Sequence, residues 1–156
     1  MPATLYLDTE FNGFNGSLIS LALIGSDDRI FYEIQGPISS FSRVRLDPWV
    51  QEHVMPFLRT EKFRTSSGRE ALHPDVFKPY FQRFLSTYDN PIIIADWFAD
   101  LQHFLKLLEG PDYGSSLNFK GTLKLVATPD DLHSEVPHNA LSDAIALRKY
   151  CIDAGL

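Results

Sequence analysis

Thr4-Leu5-Tyr6-Leu7-Asp8-Thr9-Glu10 is the stretch on which the fold turns: residues of strand character run straight into two carboxylates one residue apart. Side chains alternate faces along a strand, so residues i and i+2 share one. Asp8 and Glu10 therefore project the same way from the end of a first strand. Two like charges side by side are unfavourable unless something cationic lies between them. An oxygen-preferring divalent metal is the simplest candidate. The competing explanation is a solvated strand end or turn cap, where the same acids are common. The pair alone does not choose.

Working outward, residues 3–7, 17–24 and 29–34 are three apolar, β-rich stretches. Asn12-Gly13-Phe14-Asn15-Gly16 joins the first two, and Gly25-Ser26-Asp27-Asp28 joins the second and third. Both linkers are turn chemistry, which predicts an antiparallel meander. A polar connection follows. Asp47-Pro48 then predicts a helix start, an N-cap with proline at N1, and Pro56 its end or a kink. Residues 59–72 are expected to form an exposed loop carrying Arg59, Lys62, Arg64 and Arg69. A helical pattern over 74–88 puts Phe77, Phe81, Phe84 and Leu85 on one face, with Pro79 working against its first turn. Residues 91–95, built on Ile92-Ile93-Ile94, predict a buried central strand. An amphipathic helix over 97–109 carries Leu101, Phe104, Leu105 and Leu108 and is closed by Gly110-Pro111. A strand over 122–127 and a helix over 139–154, ended by Gly155, complete the chain. The order β-β-β-α-α-β-α-β-α, without repeat or linker, predicts one α/β domain with a mixed sheet and helices packed on it.

Composition narrows the function. The chain has 156 residues, expected to form one domain, with hydrophobic and charged fractions of 44% and 22% that are ordinary for a globular protein. Lys and Arg total 14 against 20 Asp and Glu, a net charge of −6. That balance excludes a protein held to nucleic acid by bulk positive charge. It leaves open an enzyme that meets phosphates through bound cations. The single cysteine, Cys151, excludes an intrachain disulfide and a cysteine-rich zinc site. No apolar run approaches the roughly 18 residues of a membrane span. Met1-Pro2-Ala3-Thr4 lacks the basic segment of a signal peptide. A cytoplasmic location without a membrane partner is expected.

Two further clusters carry acids. Pro137-His138-Asn139-Ala140-Leu141-Ser142-Asp143 places a histidine on a flexible lead-in to a helix and an aspartate on its first turns. A titrating group beside a rigidly mounted ligand suits metal-assisted chemistry. The plainer alternative is that Asn139 caps the helix and Asp143 favours its positive end. In Ile94-Ala95-Asp96-Trp97-Phe98-Ala99-Asp100 two acids compete. Asp96 stands at the strand–helix junction, where an N-cap belongs, and Asp100 lies one turn later on the same side.

Together these residues resemble the DEDDh branch of the DEDD superfamily of 3′–5′ exonucleases, in order and over nearly the whole chain. The strand ending in Asp8-x-Glu10 is similar to the first motif of that family and residues 94–100 to the second. His138-Asn139-Ala140-Leu141-x-Asp143-Ala144 is similar to the third, and the four residues between His138 and Asp143 mark the branch. The Asp-Thr-Glu-Phe and His-Asn-Ala-Leu wording is most similar to small bacterial exoribonucleases such as the mycobacterial polyadenylate-specific type. One departure is Asp96, where the family usually has asparagine; the resemblance carries the metal role to Asp100.

The resemblance implies an RNase H-like mixed five-stranded sheet with helices packed on both faces. It implies that Asp8, Glu10, Asp100 and Asp143 hold two divalent cations, Mg²⁺ with Mn²⁺ as a substitute. His138 becomes the general base that takes a proton from the attacking water. The implied product is a nucleoside 5′-monophosphate released from the 3′ end of single-stranded RNA. Phe11 is placed to lie against a terminal base and Asn12 to reach sugar or phosphate, with Trp97 a weaker stacking candidate. The basic residues of 59–69 are candidates to track the strand, against the plainer view of a solvated loop. A homodimer through an exposed Phe-rich helix surface is compatible with the resemblance. Three alternatives stay open: a DNA-directed exonuclease of the same superfamily, a noncatalytic nucleic-acid-binding module, and a small-nucleotide phosphatase.

Overall fold

The computed structural model describes residues 2–36, 45–110 and 119–156. Most of the polar connection, residues 37–44, and Pro111 of the expected helix stop lie outside them. The chain forms β1 (Thr4–Phe11), β2 (Leu18–Gly25), β3 (Ile30–Ile34), α1 (Pro48–His53), α2 (Pro74–Leu85), β4 (Ile92–Ala95), α3 (Phe98–Leu107), β5 (Thr122–Leu125) and α4 (Ala140–Asp153). A short 3₁₀ turn, Met55–Phe57, holds Pro56. Among the described residues the expected order of elements is reproduced, in an α/β fold built on a five-stranded sheet ordered β3-β2-β1-β4-β5. β2 is antiparallel to both neighbours, whereas β1, β4 and β5 run parallel. Among the described residues no helix is long and apolar enough to cross a membrane.

Strand alternation sends side chains to both faces, and helices cover both. Leu5, Leu7, Leu21, Leu23, Phe31 and Ile93 pack against Phe77, Phe81 and Leu85 of α2 and Phe104 of α3. On the other face Tyr6, Ile19, Ala22, Tyr32 and Ile34 meet Ala140, Leu141, Ala144 and Leu147 of α4, with Val50 from α1. The Phe-rich face of α2 is therefore core, not an exposed dimer surface: Phe77 and Phe81 are fully buried, and their rings meet Phe31 edge-on. Residues 59–72 form the expected exposed loop, with Arg59, Lys62, Arg64 and Arg69 all exposed, and a few side chains anchor it. Phe63, Thr65 and Leu72 are buried, and Ser67 donates through its amide and hydroxyl to the buried Glu33 carboxylate.

Two of the three expected caps form. The Asp47 carboxylate accepts from the Trp49 amide, with Pro48 as the first helical residue. Asn139 accepts from the Ser142 amide at the start of α4. Pro79 lies inside α2 without ending it, because the buried Phe77 and Phe81 on either side fix the helix by packing. Asp96 is not a cap: the N-cap of α3 is Trp97, in extended conformation and without a side-chain capping bond.

Asn139 does more than cap. Its fully buried amide nitrogen lies 2.8 Å from the Phe57 carbonyl and 3.2 Å from the Tyr32 hydroxyl, so α4, β3 and the 3₁₀ turn meet on one side chain. Asn139→Ala removes the cap and leaves the Phe57 carbonyl unpaired. Summing a cap and a partly buried hydrogen bond gives an expected loss of about 1–3 kcal/mol in denaturant unfolding. A loss below about 1 kcal/mol would mean that the cap alone matters.

Candidate active site

β1 pairs with β4 only over Thr4–Tyr6, against Ile92–Ile94, so its last residues outrun the neighbour on that side. The Thr9 amide there has no ladder partner and donates instead to Asp100 Oδ1 at 3.1 Å; the Thr9 hydroxyl donates to the same oxygen at 2.6 Å. A strand end that overruns its neighbour is thus sealed by a helix carboxylate. Beyond the C-terminal ends of β1, β4 and β5 opens a cleft of about 860 Å³ lined by Asp8, Glu10, Asp96, Asp100, His138 and Asp143. Crevices at the carboxyl ends of parallel strands are where open α/β sheets bind ligands.

Every catalytic residue expected from the sequence reaches this cleft. Oxygens of Asp8, Asp96 and Asp100 lie within 4.8 Å of one another, as do ligand atoms of Glu10, His138 and Asp143. Asp8 Oδ2 and Asp100 Oδ2 are sealed from solvent and have no hydrogen-bond partner. Among the described residues no Lys or Arg forms an ion pair with any of these acids. The electrostatic consequence is large. Burial, then the charges of Asp100, Glu10, Asp143 and Asp96, hold the Asp8 carboxyl well above the usual carboxylate range. Burial pushes Glu10 up to about 8, helped by Asp143 and Asp100. Burial also pushes Asp100 up to about 7, against the opposing hydrogen bonds from Thr9. Asp143 is raised by burial too, while bonds from Ser134 and the His138 amide pull the other way.

His138 is held more firmly than a flexible lead-in. It adopts φ 62°, and its amide donates to Asp143 Oδ2 at 3.0 Å. Its ring meets Trp49 edge-on at 4.8 Å, and Trp49 in turn stacks on His53 at 4.7 Å. Trp49 and His53 stack one helical turn apart, whereas the contact of Trp49 with His138 joins residues far apart in sequence.

Phe11 lines the cleft with its ring against His103 at 4.9 Å. Burial lowers the pKa of that histidine to about 4, so it backs Phe11 as a neutral ring. Asn12 has a different place. Its amide nitrogen donates to the Arg45 carbonyl and its oxygen accepts from the Asp47 amide, tying the β1–β2 turn to the start of α1. Arg59, Lys62, Arg64 and Arg69 do not line the cleft; Arg59 pairs with Glu70 and Lys62 with Glu135. Three exposed aromatics do line it: Phe14, Trp49 and Trp97 are 82%, 49% and 59% exposed. Of these, Trp97 is the stacking candidate expected from the sequence.

The donor set is all carboxylate in one group and carboxylate plus imidazole in the other. Buried carboxylate oxygens without donors are satisfied by a hard divalent cation, which takes oxygen ligands. Asp8, Glu10, Asp100 and Asp143 fit that role. No protein-family model matches this sequence, and no curated protein matches it either.

Proposed function

We propose that this chain is a metal-dependent 3′–5′ exonuclease of the DEDDh type, RNase H-like in fold, that removes nucleoside 5′-monophosphates from single-stranded RNA in the cytoplasm. The observation that carries the reading is the convergence of Asp8, Glu10, Asp100, His138 and Asp143, from distant parts of the sequence, on one cleft. The five-stranded mixed sheet with helices on both faces is compatible with the fold that the resemblance implies.

Asp8, Glu10, Asp100 and Asp143 would hold two divalent cations, Mg²⁺ or Mn²⁺, which activate water and stabilise the leaving oxygen in phosphodiester hydrolysis. Thr9 fixes one oxygen of Asp100 and so turns the other toward the cleft. His138 accepts the proton of the attacking water, and the leaving 3′ oxygen of the shortened strand gains one. No covalent enzyme intermediate forms. Phe11, Phe14, Trp49 and Trp97 offer faces on which unpaired bases stack irrespective of sequence. Stacking and bound cations together account for polyanion binding by a chain of charge −6. A DNA strand presents the same phosphates, so the preference for RNA rests on contacts to the 2′-hydroxyl.

Digestion of 3′- and 5′-labelled RNA and DNA side by side tests the reading. With Mg²⁺ or Mn²⁺, 5′-labelled RNA should shorten stepwise while 3′-labelled RNA yields labelled mononucleotide at once. Excess EDTA should abolish both patterns. Full activity in EDTA, or faster digestion of DNA, would overturn the metal mechanism or the RNA preference respectively.

A further inference from the structure

Asp96 belongs to none of the roles assigned above. It does not cap α3, whose N-cap is Trp97. It forms no ion pair with Lys or Arg among the described residues. Its Oδ2 accepts from the Thr128 hydroxyl at 2.9 Å, from the segment just after β5. Within 4.8 Å of a carboxylate oxygen of Asp96 lie oxygens of Asp8 and Asp100. Left uncompensated, three carboxylates this close repel one another.

The arrangement repeats one device. The Asp100 Oδ1 atom is held by the Thr9 hydroxyl and the Asp96 Oδ2 atom by the Thr128 hydroxyl. Each carboxylate thus has one oxygen fixed by a threonine and one left over. On Asp100 the remaining oxygen is sealed from solvent and unpartnered, in a residue only 2% exposed, and Asp8 Oδ2 beside it is unpartnered as well. Ligating carboxylates are characteristically oriented by hydrogen bonds of this kind. Two sealed oxygens without a donor leave polar capacity that a cation would satisfy.

We infer that Asp96 is an additional ligand for a divalent cation, completing an all-carboxylate site with Asp8 and Asp100, and that Thr128 positions it. The inference rests on the reading of the cleft as a metal centre. Three carboxylates supply hard oxygen donors only, which suits Mg²⁺ or Mn²⁺, whereas the Glu10, His138 and Asp143 group includes an imidazole.

Calorimetric titration of Mn²⁺ into the metal-free full chain tests this, with Asp96→Asn, Thr128→Val and Asp130→Asn as variants. Asp130 lines the same cleft but is not one of the clustered acids, so its substitution measures the loss of a nearby charge alone. Asp96→Asn should weaken one Mn²⁺ step by about 10–100-fold. Thr128→Val keeps every carboxylate and should still weaken that step several-fold. Asp130→Asn should stay within about twofold of the native chain. Thermal melts of each variant in EDTA establish that it is folded. Asp96→Asn within twofold of native, or no weaker than Asp130→Asn, overturns the proposal, and native affinity in Thr128→Val overturns the role of the threonine. A native chain that binds no Mn²⁺ would instead overturn the reading of the cleft as a metal centre.

Discussion

Asp8→Asn is expected to abolish turnover and, in the metal-free protein, to raise the melting temperature at alkaline pH. The first effect follows from the ligand role. A bound cation supplies several kcal/mol of transition-state stabilisation, and at about 1.36 kcal/mol per decade its loss is on the order of 10³-fold in kcat/KM. The second follows from the surroundings of the carboxyl, which burial and four neighbouring acids hold well above the usual range. A carboxyl with a higher pKa folded than unfolded binds more protons when folded. Its stabilising contribution is complete below the unfolded value and is lost as pH rises through the folded one. With Glu10 raised from 4.5 to about 8 and Asp100 from 3.8 to about 7, the metal-free chain should lose stability between about pH 4 and pH 8.

Asparagine matches the shape of Asp8 and has no proton to lose. Each pKa unit relieved is about 1.4 kcal/mol, or about 3–6 °C in Tm for a chain of this size. Metal-free Asp8→Asn should therefore melt above the native chain at pH 8 and level with it near pH 4. Mg²⁺ should stabilise the native chain far more at pH 8 than at pH 5. Calorimetric scans across that range, in EDTA and in Mg²⁺, check both statements. A flat native Tm without metal, or near-native turnover in Asp8→Asn, would leave the carboxylate a structural role only.

The same residues mark how far sequence reasoning carries. Local physics was legible. The apolar runs at Leu5–Leu7 and Ile92–Ile94 became strands, and Asp47-Pro48 and Asn139 became caps, because alternation and capping are set by near neighbours. Asp8 and Glu10 on one strand face followed from the period alone. Asp96 did not, since its position before a helix suggests a cap by propensity. The structure starts α3 a residue later than such a cap requires and turns Asp96 toward Thr128. Asn12 was drawn to substrate by its place beside the acids, yet its amide is engaged by backbone at residues 45 and 47. The Phe-rich face of α2 is apolar whether it meets the core or a partner, and periodicity cannot tell these apart. What stayed out of reach in each case was a partner far away in sequence, such as Trp49 beside His138.

That last contact shapes the test of His138, whose proposed role differs from that of the acids. A general base contributes roughly 10²–10⁴-fold to rate, whereas a metal ligand assembles the site. The residue occupies left-handed backbone with φ 62°, which asparagine tolerates better than alanine, so His138→Asn is the cleaner substitution. It also preserves the amide bond to Asp143 Oδ2, which belongs to the backbone. At saturating Mg²⁺ the variant should turn over about 10²–10⁴-fold more slowly than the native chain. Its rate should recover in part as pH rises, because hydroxide can replace the missing base. The structure supplies a specific rival: a ring nitrogen of His138 lies within 4.8 Å of ligand atoms of Glu10 and Asp143, as a metal ligand would. A pH–rate profile and a Mn²⁺ titration on the two proteins separate the roles. Unchanged Mn²⁺ affinity with a rate that recovers as pH rises identifies the base. Weakened affinity with no recovery of rate at high pH would make His138 a ligand and pass the proton to another acceptor.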